Sequence, residues 1–266
     1  MLSRIVTNVT DLSGFPFFVK KPSMKAMIFA AGLGTRLRPL TANKPKALVE
    51  IGGMPLLEIA IRRLQKHGVT ELVVNVHHFA EQIIYFLQQR GHFGLTIHIS
   101  HERGQLLNTG GGLKKAAHWL EGGPFLVMNA DVLTNMDFSK LLSTHRASGA
   151  LATLAVRRRQ SSRHLLFDNQ RQLVGWVHNG TGELKLVRDV PETERHPRAF
   201  SGIQVIDPQL FRYFPAEDVF STIDWYLAAA AHEPVQSYEH DMDIWLDVGK
   251  LPAVQEAEGL LPFIDL

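Results

Sequence analysis

Two cations, two carboxylates and a pair of closely spaced glycines concentrate the chemistry in this sequence. The string Ala30-Ala31-Gly32-Leu33-Gly34-Thr35-Arg36-Leu37-Arg38-Pro39-Leu40-Thr41 is followed at once by Lys44-Pro45-Lys46. Glycines let a backbone pass close to a ligand and take φ above zero, and exposed N–H groups in such a loop form an anion cradle. Arg36 offers a planar fork and Lys46 a mobile point charge. Together they suit the oxygens of a triphosphate. Two familiar phosphate motifs are missing. The third glycine position of G-x-G-x-x-G is Leu37, and no G-x-x-x-x-G-K-S/T occurs. Taken alone, the glycines fit an ordinary strand-to-helix turn equally well.

Asp131 closes Asn129-Ala130-Asp131, and Asp247 lies in Trp245-Leu246-Asp247-Val248-Gly249. Each follows or ends a strand-like run. Carboxylates there face the crevice where α/β sheets bind ligands, although a lone strand-end Asp is usually a turn former. As a pair they provide oxygen ligands for a hard divalent cation such as Mg²⁺, which takes one or two carboxylates with phosphates and waters. A further glycine cluster is Leu107-Asn108-Thr109-Gly110-Gly111-Gly112. It reads as a helix start capped by Thr109, where Asn108, Gly110 and Gly111 would lie close to a flat base and orphan N–H donors would face a ligand. Gly202, in Phe200-Ser201-Gly202-Ile203, is either a close approach to a sugar or a packing glycine in a strand. His77-His78 lacks metal spacing, and Arg157-Arg158-Arg159 is a solvated run or an attractor for an anionic substrate.

These residues need a frame to hold them. Residues 25–30, 71–76, 95–100 and 124–130 read as strands, alternating with helical spacing over 56–67 (stopped by Gly68), around 80–87 and over 109–117. That rhythm predicts an α/β fold: a mostly parallel, Rossmann-like sheet flanked by helices. After about residue 150 the pattern changes. Strands over 151–156, 200–206 and 244–248, and a hairpin over 164–167 and 173–178, predict antiparallel additions, with helices around 208–214 and 221–231. Residues 24–266 are expected to form one domain, its nucleotide-binding part over about 24–150 and its sugar-binding part over about 151–250. Residues 1–23 are expected to be an extension outside it, loosely held or lying upstream of the natural start.

Composition narrows the classes. The chain has 266 residues, 45% hydrophobic and 20% charged, so it has ample material for a core. A net charge of +2 provides no field for nucleic acid. The absence of cysteine excludes disulfides, thiolate metal sites and cysteine nucleophiles, and is compatible with a cytoplasmic home. No apolar run approaches the ~20 residues that span a bilayer. Nothing in the sequence discloses an oligomeric state.

The loop string with Lys-Pro-Lys resembles the signature of the sugar-1-phosphate nucleotidyltransferases, and the likeness runs from Met24 to about residue 250. It implies a GT-A-type fold and a reaction joining a nucleoside triphosphate, UTP in particular, to a sugar 1-phosphate with release of pyrophosphate. By that resemblance Ala30, Ala31, Gly32, Gly34 and Thr35 would hold the triphosphate. Arg36 and Lys46 would be catalytic, Asp131 and Asp247 would bind Mg²⁺, Asn108, Gly110 and Gly111 would border the base, and Asn129 and Gly202 would border the sugar. Within the family the chain is most similar to compact bacterial members that act on N-acetylmuramate 1-phosphate. Members using mannose 1-phosphate with GTP, or glucose 1-phosphate with UTP or dTTP, share much of the pattern. Three departures stand out: Asn108 replaces a customary glycine, Lys250 stands where Thr or Asn is common, and the frequent Glu-Lys sugar motif is absent. A catalytically inactive binding module is the alternative from another class.

Overall fold

Residues 24–266 are described by a computed structural model; the expectation for residues 1–23 lies outside the described residues. The first strand, β1 (Met24–Phe29), is apolar on both faces, as expected for a strand covered by helices above and below. After it come a short hairpin, β2 (Glu50–Ile51) and β3 (Met54–Pro55), then α1 (Leu56–Lys66), β4 (Val69–Val76), α2 (Ala80–Gln89), β5 (Thr96–His101), α3 (Asn108–Ala116) and β6 (Phe125–Asn129). The stop at Gly68 is as read: its φ of +87° ends the turn after α1. β1, β4, β5 and β6 form the parallel heart of the sheet in the order β6-β1-β4-β5.

The second half continues with β7 (Val132–Thr134), α4 (Phe138–Ser148), β8 (Ala152–Arg157), β9 (Arg163–Phe167), β10 (Leu173–His178), β11 (Glu183–Leu186) and β12 (His196–Ile206). It ends with α5 (Thr222–Ala230), β13 (Val235–Glu239), β14 (Trp245–Asp247) and α6 (Leu251–Leu260). β12 is the hinge of the topology. Its C-terminal part pairs antiparallel with β6 and β8, and its N-terminal part with β9. The main sheet, ten-stranded among the described residues, therefore runs without a break from the parallel half into the antiparallel additions. The helix expected over 208–214 is a 3₁₀ segment, Pro208–Tyr213, with Asp207 capping it through Gln209 N–H.

Alternation along the strands sorts the core. Ala26, Ile28, Leu72 and Val74 point to one face, under α1 and α2, while Met27, Val73 and Val127 point to the other, under α3 and α5. A third cluster serves the site directly. It joins Leu37 of the glycine loop to Val49, Ile51, Leu56, Leu133, Val248 and Ala257, so the loop is anchored by buried apolar contacts on its far side.

Candidate active site

A cleft of about 410 Å³ opens at the C-terminal ends of β1, β4 and β6, where open α/β sheets bind ligands. Its floor begins where β1 ends. The Ala30 N–H donates to Asn75 Oδ1 at 2.7 Å, and the Asn75 amide donates to Glu102 Oε1 at 2.7 Å. Glu102 accepts a second bond from the Leu107 N–H at 2.9 Å. One buried Asn–Glu pair thus ties the glycine loop to the start of α3. Both residues line the cleft. A sequence reading misses Asn75 because it lies inside an apolar strand, and does not join it to Glu102 because the two are 27 residues apart.

The glycine loop curls over this floor. Gly34 takes φ +65°, and a Cβ there would sit 3.0 Å from both Lys46 Cβ and Thr41 Cγ2. That contact requires glycine, and it presses the loop onto the backbone carrying Lys46. The Thr41 hydroxyl donates to the Gly34 carbonyl at 2.8 Å and closes the curl. Ala30, Ala31, Gly32, Gly34, Thr35 and Arg36 all line the cleft, and Gly32 has open space where a side chain would stand.

Lys46, Asp131 and Asp247 meet at one end. Lys46 Nζ donates to Asp131 Oδ2 and lies 3.9 Å from Asp247 Oδ1. The small β7–β14 sheet creates this meeting: Asp247 pairs with Val132, the residue after Asp131, and the Val248 N–H donates to the Asp131 carbonyl at 2.9 Å. The strand expected over 244–248 thus exists, but it pairs off the main sheet. Burial pulls the Lys46 pKa from 10.5 to about 8; Asp247 opposes that pull and Arg36 adds to it. The ammonium is therefore poorly solvated and holds its proton less firmly than a free lysine does. Arg36 lies across the entrance beside Gly249, where a Cβ would come within 3.0 Å of its guanidinium.

Most sequence-derived site residues converge here: the loop residues, Lys46, Asn108, Asn129 and Asp131 line one cleft, and Asp247 joins through Lys46. Gly110, Gly111 and Gly202 are exceptions. The N–H groups of Gly110 and Gly111 donate to the Phe220 carbonyl at 2.9 and 3.2 Å. A Cβ on Gly111 would lie 1.9 Å from the Asp218 carbonyl oxygen, and one on Gly110 would lie 2.4 Å from the Phe220 ring. These glycines seat α3 against the segment before α5 and lie outside the lining of the cleft. Their donors are spent on protein. Thr109 does not cap the helix either; its hydroxyl accepts from the Thr222 N–H at 3.0 Å and contacts the Thr222 hydroxyl. Gly202, at φ +71°, packs on the Asn129 amide. It shapes the wall behind Asn129.

The profile of the nucleotidyl transferase family matches residues 25–261. The chain belongs to that family. It is 34% identical over 242 residues to N-acetylmuramate alpha-1-phosphate uridylyltransferase of Neisseria meningitidis, an alignment covering 89% of this chain and 98% of that one. The enzyme so named from Caulobacter vibrioides is 33% identical over 241 residues, covering 89% of this chain and 96% of its own. Among solved structures, HddC from Yersinia pseudotuberculosis in complex with GMP-PN superposes with a TM-score of 0.70 over 90% of this chain and 99% of that one, at 19% identity. That likeness supports the GT-A-type α/β fold.

Proposed function

We propose that this protein joins a nucleoside triphosphate, UTP in the first instance, to a sugar 1-phosphate, with N-acetylmuramate 1-phosphate the leading substrate, and releases pyrophosphate. The observation that carries this reading is Lys46, held between two strand-end aspartates at one end of a glycine-loop cleft. The named activity of the two uridylyltransferases, aligned over nearly their whole length, supports the choice of base and sugar.

In the reaction a phosphate oxygen of the sugar 1-phosphate attacks the α-phosphorus in line. A new P–O bond forms there, the bond to the bridging oxygen breaks, and that oxygen keeps its electron pair as part of pyrophosphate. Positioning and charge neutralisation supply most of the catalysis in such transfers. The loop N–H groups from Ala31 to Thr35 hold the phosphates. Lys46 can move its proton-bearing ammonium from Asp131 towards the α-phosphate. Arg36, exposed at the entrance, meets the leaving pyrophosphate. Asn108 and the Asn75–Glu102 pair shape the base end, and Asn129 the sugar end.

The residues present fit a magnesium ion. Two carboxylates converge within 4.0 Å of one point, the Lys46 ammonium. Among the described residues no group of three or more His, Cys, Asp or Glu is placed to hold a metal ion, so phosphates and waters would complete the shell, as magnesium commonly has it. Asp131 and Asp247 would hold the ion, and it would supply neutralising charge to the phosphate oxygens. No helix among the described residues is long and apolar enough to cross a membrane. We place the reaction in the cytoplasm, where UTP is made, with its product a precursor for cell-wall synthesis.

The test is a matrix of UTP, GTP and dTTP against N-acetylmuramate, mannose and glucose 1-phosphates, read by pyrophosphate release with and without Mg²⁺. Turnover in the UTP row, lost without Mg²⁺ and reduced about 10²–10³-fold by Lys46→Met, is the expected result. Absence of pyrophosphate from every pair would leave a binding module and refute the proposal.

A further inference from the structure

A second cavity, of about 170 Å³, lies on the antiparallel half and is lined by Arg159, Ser161, Arg163, His164, Trp176 and Phe200, among others. Its charge is one-sided. Of the arginine run 157–159, Arg158 has acidic partners, Glu239 and Asp241, each at 3.6 Å. Among the described residues Arg157, Arg159 and Arg163 have none. Arg159 is half-buried in this setting. Its guanidinium lies 4.6 Å from the centre of the Trp245 ring and donates to the Phe200 carbonyl at 3.1 Å, while its Nε has no acceptor. Arg157, 5.8 Å from the same ring, is taken up by the carbonyls of Asp241 and Asp243.

The cavity borders the cleft. Trp245 and Asp247 alternate on β14, so they share a face. Burial lowers the Arg159 pKa, and the nearby Asp247 opposes that fall without forming an ion pair with it. Along β12, Phe200 lines the cavity and Gly202 packs on Asn129, which lines the cleft. Two residues of strand cover ~7 Å. The Trp245 indole N–H donates to the Ser201 carbonyl at 2.9 Å between them and fixes the partition. A sugar whose phosphate reaches Lys46 and whose ring passes Asn129 therefore extends towards Arg159.

We infer that Arg159, flanked by Arg163 and His164, binds a carboxylate carried by the sugar 1-phosphate: in N-acetylmuramate, the acid of the lactyl ether. This rests on the reading above and deepens it. The Lys46 end of the cleft already holds the carboxylates of Asp131 and Asp247, which repel a second substrate anion. The Arg159 cavity next to it is basic and has no acidic residue in its lining. A guanidinium over an indole, bonded only to the Gln160 and Phe200 carbonyls and with no acidic partner, keeps N–H donors for a carboxylate. The carboxylate thus tells this substrate from the same hexosamine without the lactyl group.

The experiment compares kcat/KM for N-acetylmuramate 1-phosphate, its lactyl amide, and N-acetylglucosamine 1-phosphate, all with UTP and Mg²⁺. Wild type should favour the acid over the uncharged amide by about 10- to 100-fold, as expected for one charge-assisted bond. Arg159→Met should collapse that ratio towards one, mainly through KM, and Arg159→Lys should restore part of it. Arg163→Gln, at an exposed position, should narrow it if Arg159→Met does not fold. Equal rates for acid and amide in wild type overturn the inference. So does an Arg159→Met enzyme that loses acid and amide turnover by one common factor, since Arg159 would then only support Trp245 and Asp247. If glucose 1-phosphate is the preferred substrate, carboxylate recognition falls while nucleotidyl transfer stands. If no pair releases pyrophosphate, it is the functional reading itself that fails.

Discussion

Gly111→Ala separates two jobs that a glycine-rich helix start can have. The added Cβ would lie 1.9 Å from the Asp218 carbonyl oxygen, whereas a carbon–oxygen contact needs about 3.3 Å. The two backbones must part by about 1.4 Å on that reasoning. The bonds from Gly110 N–H and Gly111 N–H to the Phe220 carbonyl, at 2.9 and 3.2 Å, would then stretch past hydrogen-bonding range. Two lost bonds cost about 1 kcal/mol each, and overpacking a close contact adds about 1–3 kcal/mol. The total is about 3–5 kcal/mol, equivalent to a fall in Tm of roughly 6–20 °C for a chain of this size. Thermal unfolding of wild type and variant, with and without UTP, measures it. The reverse pattern, an unchanged Tm with a raised KM for UTP, would refute the reasoning and place Gly111 against the base.

Gly32→Ala should behave in the opposite way: nothing lies within 4 Å of the new Cβ, so Tm should stay within about 1 °C while KM for the nucleotide rises several-fold, because the methyl group enters the cleft. Asn75→Ala should cost about 2–5 kcal/mol in urea unfolding by orphaning the Ala30 N–H and one Glu102 oxygen in a buried site; a loss below 1 kcal/mol would mean that water replaces the amide. Burial holds His145 and His240 down to about 4, so the unfolded chain binds more protons as pH falls from 6.5 to about 4. Stability should be level above that window and decline through it by on the order of 3 kcal/mol per histidine. His145→Asn should flatten part of the decline in pH-dependent urea midpoints, and parallel curves for variant and wild type would count against this assignment.

The local signals were those written in contiguous residues. The Gly32–Thr41 string with Lys46, the apolar strand runs and the Gly68 stop depend on neighbours in the chain, and the parallel heart of the sheet followed from their rhythm. α4, β13 and α6 were not read from the pattern. Asp137 caps α4 through Ser139 N–H and Lys140 N–H, but the helix has few apolar positions to announce it, and α6 has a single buried residue, Ala257. The packing partners of Gly110, Gly111 and Gly202 were hidden for another reason. A glycine announces close approach without saying to what, and here the partners, Asp218, Phe220 and Asn129, are far away in sequence or hidden in a strand.

The sequence alone singled out the candidate groups: a glycine loop, a lysine and two aspartates, chosen by residue type. Only the tertiary structure decided that they meet. Asp131 and Asp247 are brought to one lysine by the β7–β14 pairing, a contact between segments more than 100 residues apart, and the Asn75–Glu102 pair joins the loop to α3 in the same way. Such contacts are selected by burial and hydrogen bonding across the whole fold, so no local pattern carries them.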